Sequence, residues 1–261
     1  MKPAHYKILI IASLISLACT TRVSEWILLN ALPGQYTLVY FHNNPSTEAV
    51  NKKNKELIDG MQSANIHFKT VTRKEVSQPY YGLYYEERLF TQYKTPPEIK
   101  NLISSPLREK VASELMAGKL CVMVYLVTDI KEKDDSGRKT IRKTIEESPF
   151  GGIMSFVELS RNSSEENIFT SLLLNVEDDL KDINEPMLFG VFGKFKALEP
   201  LLGRGITQEN INLMIDYMTA ECSCLIKDDL PGTDILFNGN WDNPAPALLN
   251  KIIDDNPSLG L

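Results

Sequence analysis

The chain has 261 residues, of which 43% are hydrophobic and 24% are charged, and its formal net charge is −6 at pH 7. This hydrophobic content is sufficient for a packed core and excludes a disordered chain. An acidic surface repels nucleic-acid phosphates, and the sequence has no basic cluster with interleaved aromatic residues, so we expect no nucleic-acid partner. Four cysteines are too few for a disulfide-dense scaffold.

Residues 1–18 have the pattern of a secretory signal peptide. Two lysines precede an apolar run over residues 8–17, and a small residue, Ala18, precedes Cys19. The apolar run is about half of the roughly 20 residues that a membrane-spanning helix needs, so we do not expect a permanent transmembrane helix. The segment predicts an exported protein of the cell envelope or periplasm.

The letters S-L-A-C before and including Cys19 resemble the lipobox of bacterial lipoproteins, in which the cysteine thiol accepts a diacylglyceryl group. This resemblance implies that Cys19 is the lipid-modified first residue of the mature protein and that the protein is held at a membrane by its lipid. Ser16 stands where a lipobox usually has leucine. The alternative is an ordinary residue near a plain signal-peptidase site.

A predicted tether over residues 19–35 leads into the first predicted elements. Residues 36–42 (YTLVYFH) are β-branched and aromatic and indicate a buried strand. An amphipathic helix follows over 45–63, and the alternating residues 66–72 (IHFKTVT) predict a second strand. Strand, helix and strand at this spacing form a βαβ unit, which implies a parallel pair with a right-handed crossover.

Residues 77–97 are unusually rich in tyrosine and proline. Tyrosine offers apolar area with a polar tip, so this segment could contact an envelope protein. The candidate residues for that surface are Tyr80, Tyr81, Tyr84 and Tyr85. The favoured interpretation is an irregular connector that packs on the core.

The later elements follow from hydrophobic periodicity and capping residues. In chain order they are a helix over 99–117 with Pro106 at an N1-like position, a strand over 120–128, a charged helix over 131–147, a strand over 153–160, a helix over 164–174, strands over 187–192 and 196–202, and a helix from Thr207 to about 220. Residues 226–261 are predicted to form a C-terminal arm.

The order from residue 120 to residue 220 resembles the thioredoxin fold, and the dipeptide Glu185-Pro186 enters the third strand. The resemblance implies an α/β fold, with a thioredoxin-like unit over 118–225 and a cis proline at Pro186 beside the active-site position. Residues 36–117 are then an N-terminal extension or a degenerate second copy, and both alternatives fit.

The departure from active thioredoxins lies where the first strand meets its helix. Active members carry C-x-x-C there, because the helix N-terminus lowers the pKa of the exposed thiol. The matching segments here are residues 42–46 and 128–131, and neither contains cysteine. Residue type alone therefore excludes ordinary thiol–disulfide exchange at that position.

Two further blocks, L-G-R-G-I at 202–206 and E-C-S-C at 221–224, resemble a group of uncharacterised exported bacterial proteins. The resemblance supports the fold and the exported location and supplies no activity. Cys222 and Cys224 could close a strained disulfide with a redox role, give two thiolates to zinc or copper, or be structural. Once the signal has been removed, His42 and His67 are the histidines left for a Cys2His2 site.

The sequence therefore predicts an exported, lipid-anchored envelope protein whose redox-inactive thioredoxin-like domain is a binding or scaffold module. We expect no cofactor and more readily a non-enzyme than an enzyme. The alternative is an atypical thiol-redox or soft-metal-handling protein that uses Cys222 and Cys224.

Overall fold

The computed structural model describes residues 22–44, 47–94, 99, 101–194, 196–220 and 232–239. The helices are α1 (Val23–Asn30), α2 (Glu48–Gly60), α3 (Pro106–Met116), α4 (Lys131–Glu147), α5 (Asn167–Leu173) and α6 (Gln208–Thr219). The strands are β1 (Tyr36–His42), β2 (Ile66–Thr72), β3 (Tyr80–Tyr85), β4 (Arg88–Tyr93), β5 (Cys121–Val127), β6 (Met154–Ser160), β7 (Met187–Phe192), β8 (Lys196–Ala197), β9 (Leu201–Leu202) and β10 (Thr233–Asp234). None of these helices is long and apolar enough to cross a membrane.

The second sheet has the strand order β10-β8-β7-β5-β6. Strand β6 lies parallel to β5, whereas β7 is antiparallel to β5 and β8 is antiparallel to β7. Helices α4 and α5 make the two connections before β7, and α6 follows the β7–β8–β9 segment. This chain order and these strand directions are those of the thioredoxin fold, so the predicted fold class is confirmed.

The first sheet has the order β2-β1-β3-β4, with β2 parallel to β1 and with β3 and β4 antiparallel to their neighbours. It repeats the order and directions of β6-β5-β7-β8. Residues 73–79 connect β2 to β3, where the second unit has a helix. The first sheet thus has the strand arrangement of the second with one helix fewer.

The predicted connector over 77–97 is wrong, because β3 and β4 form an antiparallel hairpin within it. Its turn consists of Glu86 and Glu87, whose φ angles are 47° and 68°. Two-residue hairpin turns with positive φ favour Asn and Gly. A Glu-Glu pair gives no such signal, which explains why the sequence does not reveal the hairpin.

Part of the predicted tether is a buried helix. In α1, Val23 and Ile27 are fully buried, and Ser24 Oγ donates a 2.5 Å hydrogen bond to the Met218 carbonyl of α6. A Cβ on Gly193, whose φ is +57°, would lie 2.8 Å from Ile27 Cβ, so glycine permits this close approach. The ordered domain therefore starts no later than Arg22.

One hydrophobic core joins the two sheets. It contains residues of β1, of β5 and of helices α3 and α5, including Leu38, Leu115, Val124 and Phe169. Helix α3 begins at Pro106, which confirms the N1 position of that proline, while the sequence predicted a start at 99. A second cluster fills the other face of the second sheet, between β5 and the helices α4 and α6.

Residues 232–239 join the two units rather than forming a loose arm. Strand β10 pairs with β8 of the second sheet, and Asn238 forms a bridge with Ala64 beside the first sheet. Between these contacts, Ile235, Leu236 and Phe237 are at most 1% exposed. This part of the predicted 226–261 arm is therefore a component of the core.

Candidate functional site

The junction between β5 and α4, Thr128–Lys131, holds the thioredoxin active-site position of the second unit. Strand β5 is completely buried along its first six residues and brings this junction to the surface at its carboxyl end. Asp129 there has a φ of 64°, a left-handed conformation that Asp adopts more readily than most residues. The junction thus has a sharp turn before the helix and no nucleophilic sulfur.

A buried carboxylate occupies the start of α4. Asp134, 2% exposed, accepts hydrogen bonds through Oδ1 from the Thr128 backbone N–H and from Thr128 Oγ1, both at 2.9 Å. Thr128 Oγ1 in turn accepts from the Ile130 N–H at 3.2 Å, and Tyr125 donates to the Asp134 carbonyl at 2.9 Å. The N–H groups of Thr128 and Ile130 therefore have partners within the chain and are not free to stabilise a thiolate.

Strands β5 and β6 are tied together at the same end. Asp129 Oδ2 accepts hydrogen bonds from Ser160 Oγ at 2.7 Å and from Asn162 Nδ2 at 2.9 Å. Together with Ile130 and Glu185, these three residues form a surface that we call the carboxyl edge. Ile130 is 41% exposed among polar groups, which gives the edge one apolar contact point.

The segment that enters β7 is fixed by two cations. Lys133 Nζ lies 2.8 Å from Glu185 Oε1 and donates to the Asn184 carbonyl at 2.9 Å. Arg161 donates to the Ile183 carbonyl at 2.9 Å, and burial lowers the pKa of its guanidinium. These contacts hold the chain against the carboxyl edge immediately before Pro186.

The predicted cis proline is wrong, because the described residues contain no cis peptide bond and the Glu185–Pro186 bond is therefore trans. Pro186 is buried, and its carbonyl accepts a 2.8 Å hydrogen bond from the Gly203 N–H. The trans form is the intrinsically favoured one for an X–Pro bond. Pro186 lies beside the junction after β5, because Met187 pairs with Leu126, but its peptide bond is not cis.

The two histidines do not come together. His42 Nδ1 is within hydrogen-bond distance of the Asn44 carbonyl, and Nε2 lies 3.3 Å from Thr72 Oγ1. In the β1–β2 register His67 is opposite Thr37, so His67 and His42 project from opposite faces of the first sheet. They cannot supply two ligands to one ion, and no group of three metal-ligating side chains occurs in the described part of the chain.

The four tyrosines do not form one surface. Tyr81 is 2% exposed and donates a 2.7 Å hydrogen bond to Asn54 Oδ1 of α2, and Tyr85 packs on Tyr36 with ring centroids 4.7 Å apart. Tyr80 and Tyr84 lie on the opposite face, because side chains alternate along β3. The predicted surface of Tyr80, Tyr81, Tyr84 and Tyr85 is therefore wrong as a set. Only Tyr80 and Tyr84 face away from the core that the two sheets share.

The structure describes one of the four cysteines. Cys121 is fully buried, and burial raises the pKa of its thiol to about 12. Cys19, Cys222 and Cys224 lie outside the described residues. Their lipidation, redox and metal roles stay predictions.

Sequence reasoning missed the buried arginine that joins the two units. Arg108, 1% exposed, donates to Ser105 Oγ at 3.0 Å and to the carbonyls of Leu102 at 2.8 Å and Leu236 at 3.2 Å. Ser105 Oγ donates to Glu166 Oε2 at 2.5 Å. Burial lowers the pKa of Arg108 to about 10, so it stays charged at neutral pH. In the sequence it is one basic residue in a charged helix.

A mostly buried polar cluster around Asp234 was missed as well. Asp234 lies 3.3 Å from Lys196 Nζ in a pair whose side chains are only 12% and 11% exposed. The Asp234 carbonyl accepts a 3.0 Å hydrogen bond from Tyr36 Oη, and Tyr85 Oη lies 3.4 Å from its Oδ2. The pKa of Asp234 is raised, chiefly by burial, and burial also raises the pKa of Tyr36 and Tyr85. The cluster holds residues 232–239 against the first sheet.

Comparisons with known proteins add little to this geometry. No protein-family model matches the chain, and no curated protein sequence does. One solved structure similar to the chain is the NTD_N/C domain of the alkylhydroperoxide reductase AhpF from Enterococcus faecalis (V583). The similarity has 13% identity, covers 64% of this chain and 88% of that one, and has a TM-score of 0.21. A TM-score this low supports no argument, so the thioredoxin-like fold rests on the strand order and directions of the second sheet.

Proposed function

We propose that this chain is an exported, lipid-anchored protein of the cell envelope whose thioredoxin-like unit binds another protein and exchanges no disulfides at the junction after β5. The observation that supports the proposal is that the chain's own hydrogen-bonded groups fill the junction between β5 and α4. Its residues include no cysteine, and the buried Asp134 carboxylate accepts the Thr128 N–H. We propose that the chain is related to a group of exported proteins that share the C-S-C block.

The carboxyl edge is the proposed contact surface. Hydrogen bonds from Ser160 and Asn162 fix Asp129, and an ion pair with Lys133 fixes Glu185. Fixed polar groups lose less conformational entropy on binding than free ones. Ile130 supplies the exposed apolar residue that a protein contact would bury. Because Asp129 and Glu185 lie beside the cations Lys133 and Arg161, the edge presents groups of both charges, and the fitting partner is a polar protein segment.

Site-specific photocrosslinking in cells tests the proposed contact. A benzophenone amino acid at Ile130 should capture an envelope protein, and the same probe at Leu89, 42% exposed on β4, should not. The two positions match in residue class and exposure but lie on different units. Capture at 89 alone would transfer the contact to the Tyr80–Tyr84 face and contradict the proposed edge.

The competing function is thiol-redox or soft-metal chemistry at Cys222 and Cys224, favoured by their spacing in the sequence. Intact masses after alkylation, with and without reductant, and elemental analysis for zinc and copper distinguish the two proposals. A binding module should capture the same partner after both cysteines are replaced by serine. Loss of a disulfide reductase activity in that double variant would make the redox proposal the better one.

A further inference from the structure

We infer that the α1 end of the second unit faces the bilayer in the lipid-anchored protein, so that the carboxyl edge faces away from it. The membrane-facing surface, which we call the α1 pole, consists of Arg22, Lys119, Phe150 and Gly152. The inference rests on the proposed function, because it requires the lipid at Cys19. It adds an orientation, and hence a direction from which a partner must approach.

The ordered domain begins very close to the lipid. The backbone N–H of Val23 donates to the Ala220 carbonyl at 2.9 Å, and the Arg22 guanidinium lies 5.6 Å from the centre of the Phe150 ring. Both contacts connect the start of α1 to the second unit. A lipid on Cys19 would therefore be attached almost directly to the rigid part of the molecule.

The tether is short compared with the domain. Three residue steps separate Cys19 from Arg22, and fully extended they span at most about 10 Å. A compact domain of this size has a radius of gyration of about 18 Å. Since the tether is shorter than this radius, the domain cannot turn its opposite end to the membrane without first breaking the contacts of α1.

The α1 pole and the carboxyl edge lie at opposite ends of the same strands. Lys119 precedes β5, its Nζ donates to the Gly152 carbonyl at 2.8 Å, and Gly152 precedes β6. Asp129 and Ser160 stand at the other ends of β5 and β6. A strand of seven residues spans about 20 Å, so the carboxyl edge lies at least that far from the α1 pole along the strands.

Two label positions at the ends of β6 report the orientation. Gly152 is exposed, and a Cβ there would meet no atom within 4 Å, while Ser164 is exposed beyond the other end. Gly152→Cys and Ser164→Cys are made singly in the full chain, with Cys222 and Cys224 replaced by serine and with Cys19 retained. Each lipidated protein carries a thiol-reactive fluorophore and is reconstituted into phosphatidylcholine vesicles that contain a headgroup nitroxide lipid.

We expect the nitroxide lipid to quench the label at 152 and to leave the label at 164 bright. A Gly–Ser insertion of about ten residues after Thr20, which reaches about 17 Å, should largely abolish this difference by letting the domain turn. Equal quenching at both positions of the short-tether protein, or stronger quenching at 164, would overturn the orientation. An unchanged difference after the insertion would overturn the tether as its cause.

The anchor itself is checked separately on the same samples. The intact mass of the membrane-extracted protein should include a lipid, and the Cys19→Ser protein should lack it and fail to float with vesicles. A mature protein without lipid would overturn both the anchor and the orientation. A lipidated protein with equal quenching would overturn the orientation alone and leave the proposed function in place.

Discussion

Between β6 and β7 the second unit has helix α5, whereas between β2 and β3 the first unit has only residues 73–79. The face of the second sheet under α5 is covered by fully or nearly buried side chains such as Phe169 and Leu172. The corresponding face of the first sheet is covered by tyrosines of the sheet and by the 73–79 connector, because Tyr80 and Tyr84 pack on Phe41 and the guanidinium of Arg73 lies 5.2 Å from the centre of the Phe41 ring. The two units therefore share one strand order although side chains of the sheet and a short connector stand where the second unit has a helix.

Truncation of one phenylalanine in each unit should give the largest difference in unfolding free energy between the two units. Phe169→Ala leaves a cavity under α5 in tightly packed surroundings, and we expect a loss of about 4 kcal/mol in the free energy of unfolding. Phe41→Ala should destabilise less, by about 2 kcal/mol, since the half-exposed Tyr80 and Tyr84 can move into the space. Urea denaturation followed by circular dichroism measures both variants. Equal losses would mean that the first sheet is packed as tightly as the second.

The next effect tests whether the two units unfold together. Arg108→Met removes the cation that joins α3 to Leu236 and takes the hydrogen-bond donor from the buried Leu102 and Leu236 carbonyls, so we expect a loss of about 3 kcal/mol. The matched control is Arg88→Met, whose ion pair with Asp178 is 77% and 81% exposed and should contribute less than about 1 kcal/mol. One cooperative transition in both variants would agree with a shared core. Separate transitions for the two sheets would contradict it.

Glycine-to-alanine substitutions compare how readily the two units accommodate an added methyl group. A Cβ at Gly137 would lie 3.0 Å from Cζ of Tyr125, a fully buried ring, and we expect destabilisation by about 2 kcal/mol. A Cβ at Gly82 would meet Cε2 of the half-exposed Tyr84 at 2.8 Å, and movement of that ring should keep the loss below about 1 kcal/mol. Thermal unfolding of both variants ranks them. A larger loss for Gly82→Ala would reverse the inferred order of packing.

The smallest effect concerns the contact between the units at Asp234. Its pKa is raised in the folded state, chiefly by burial, while Lys196 opposes the shift. Protonation therefore favours the folded state, and this contribution is complete below the unfolded-state pKa of about 3.9 and disappears as the pH rises through the folded-state value. Relative to Asp234→Asn, the wild-type protein should lose stability as the pH rises from about 4 through the folded-state pKa of Asp234. Urea midpoints across this range measure it, and a constant difference would contradict it.

Long, strongly patterned elements were predictable from the sequence. Strands β1, β2 and β7 and helix α4 have the predicted bounds, and Thr207 caps α6 by accepting the Asn210 N–H at 3.2 Å. These elements combine clear periodicity with capping or β-branched residues, so local preference and tertiary packing agree. The thioredoxin-like order followed from them.

The elements that sequence reasoning missed depend on contacts between distant residues. Helix α1 has only eight residues and is stabilised by packing on α6. The contacts of Phe237 come from Asn65, just before β2, and from Phe169 of α5, both far away in the sequence. The junction between β5 and α4 was located correctly because its position follows from the order of the strands. The hydrogen bonds of Asp134 were not predictable, because nothing in a charged helix distinguishes its one buried carboxylate.

Residues 232–239 have a consequence for the order in which the fold closes. The backbone N–H of Phe237 donates a hydrogen bond to Asn65, 172 residues earlier, and Tyr36 donates to the Asp234 carbonyl across 198 residues. Contacts between residues so far apart in sequence form slowly, because a long loop must be closed before they are gained. The first sheet is therefore completed only when this late segment docks, and until then the surface that Ile235–Phe237 will cover stays exposed.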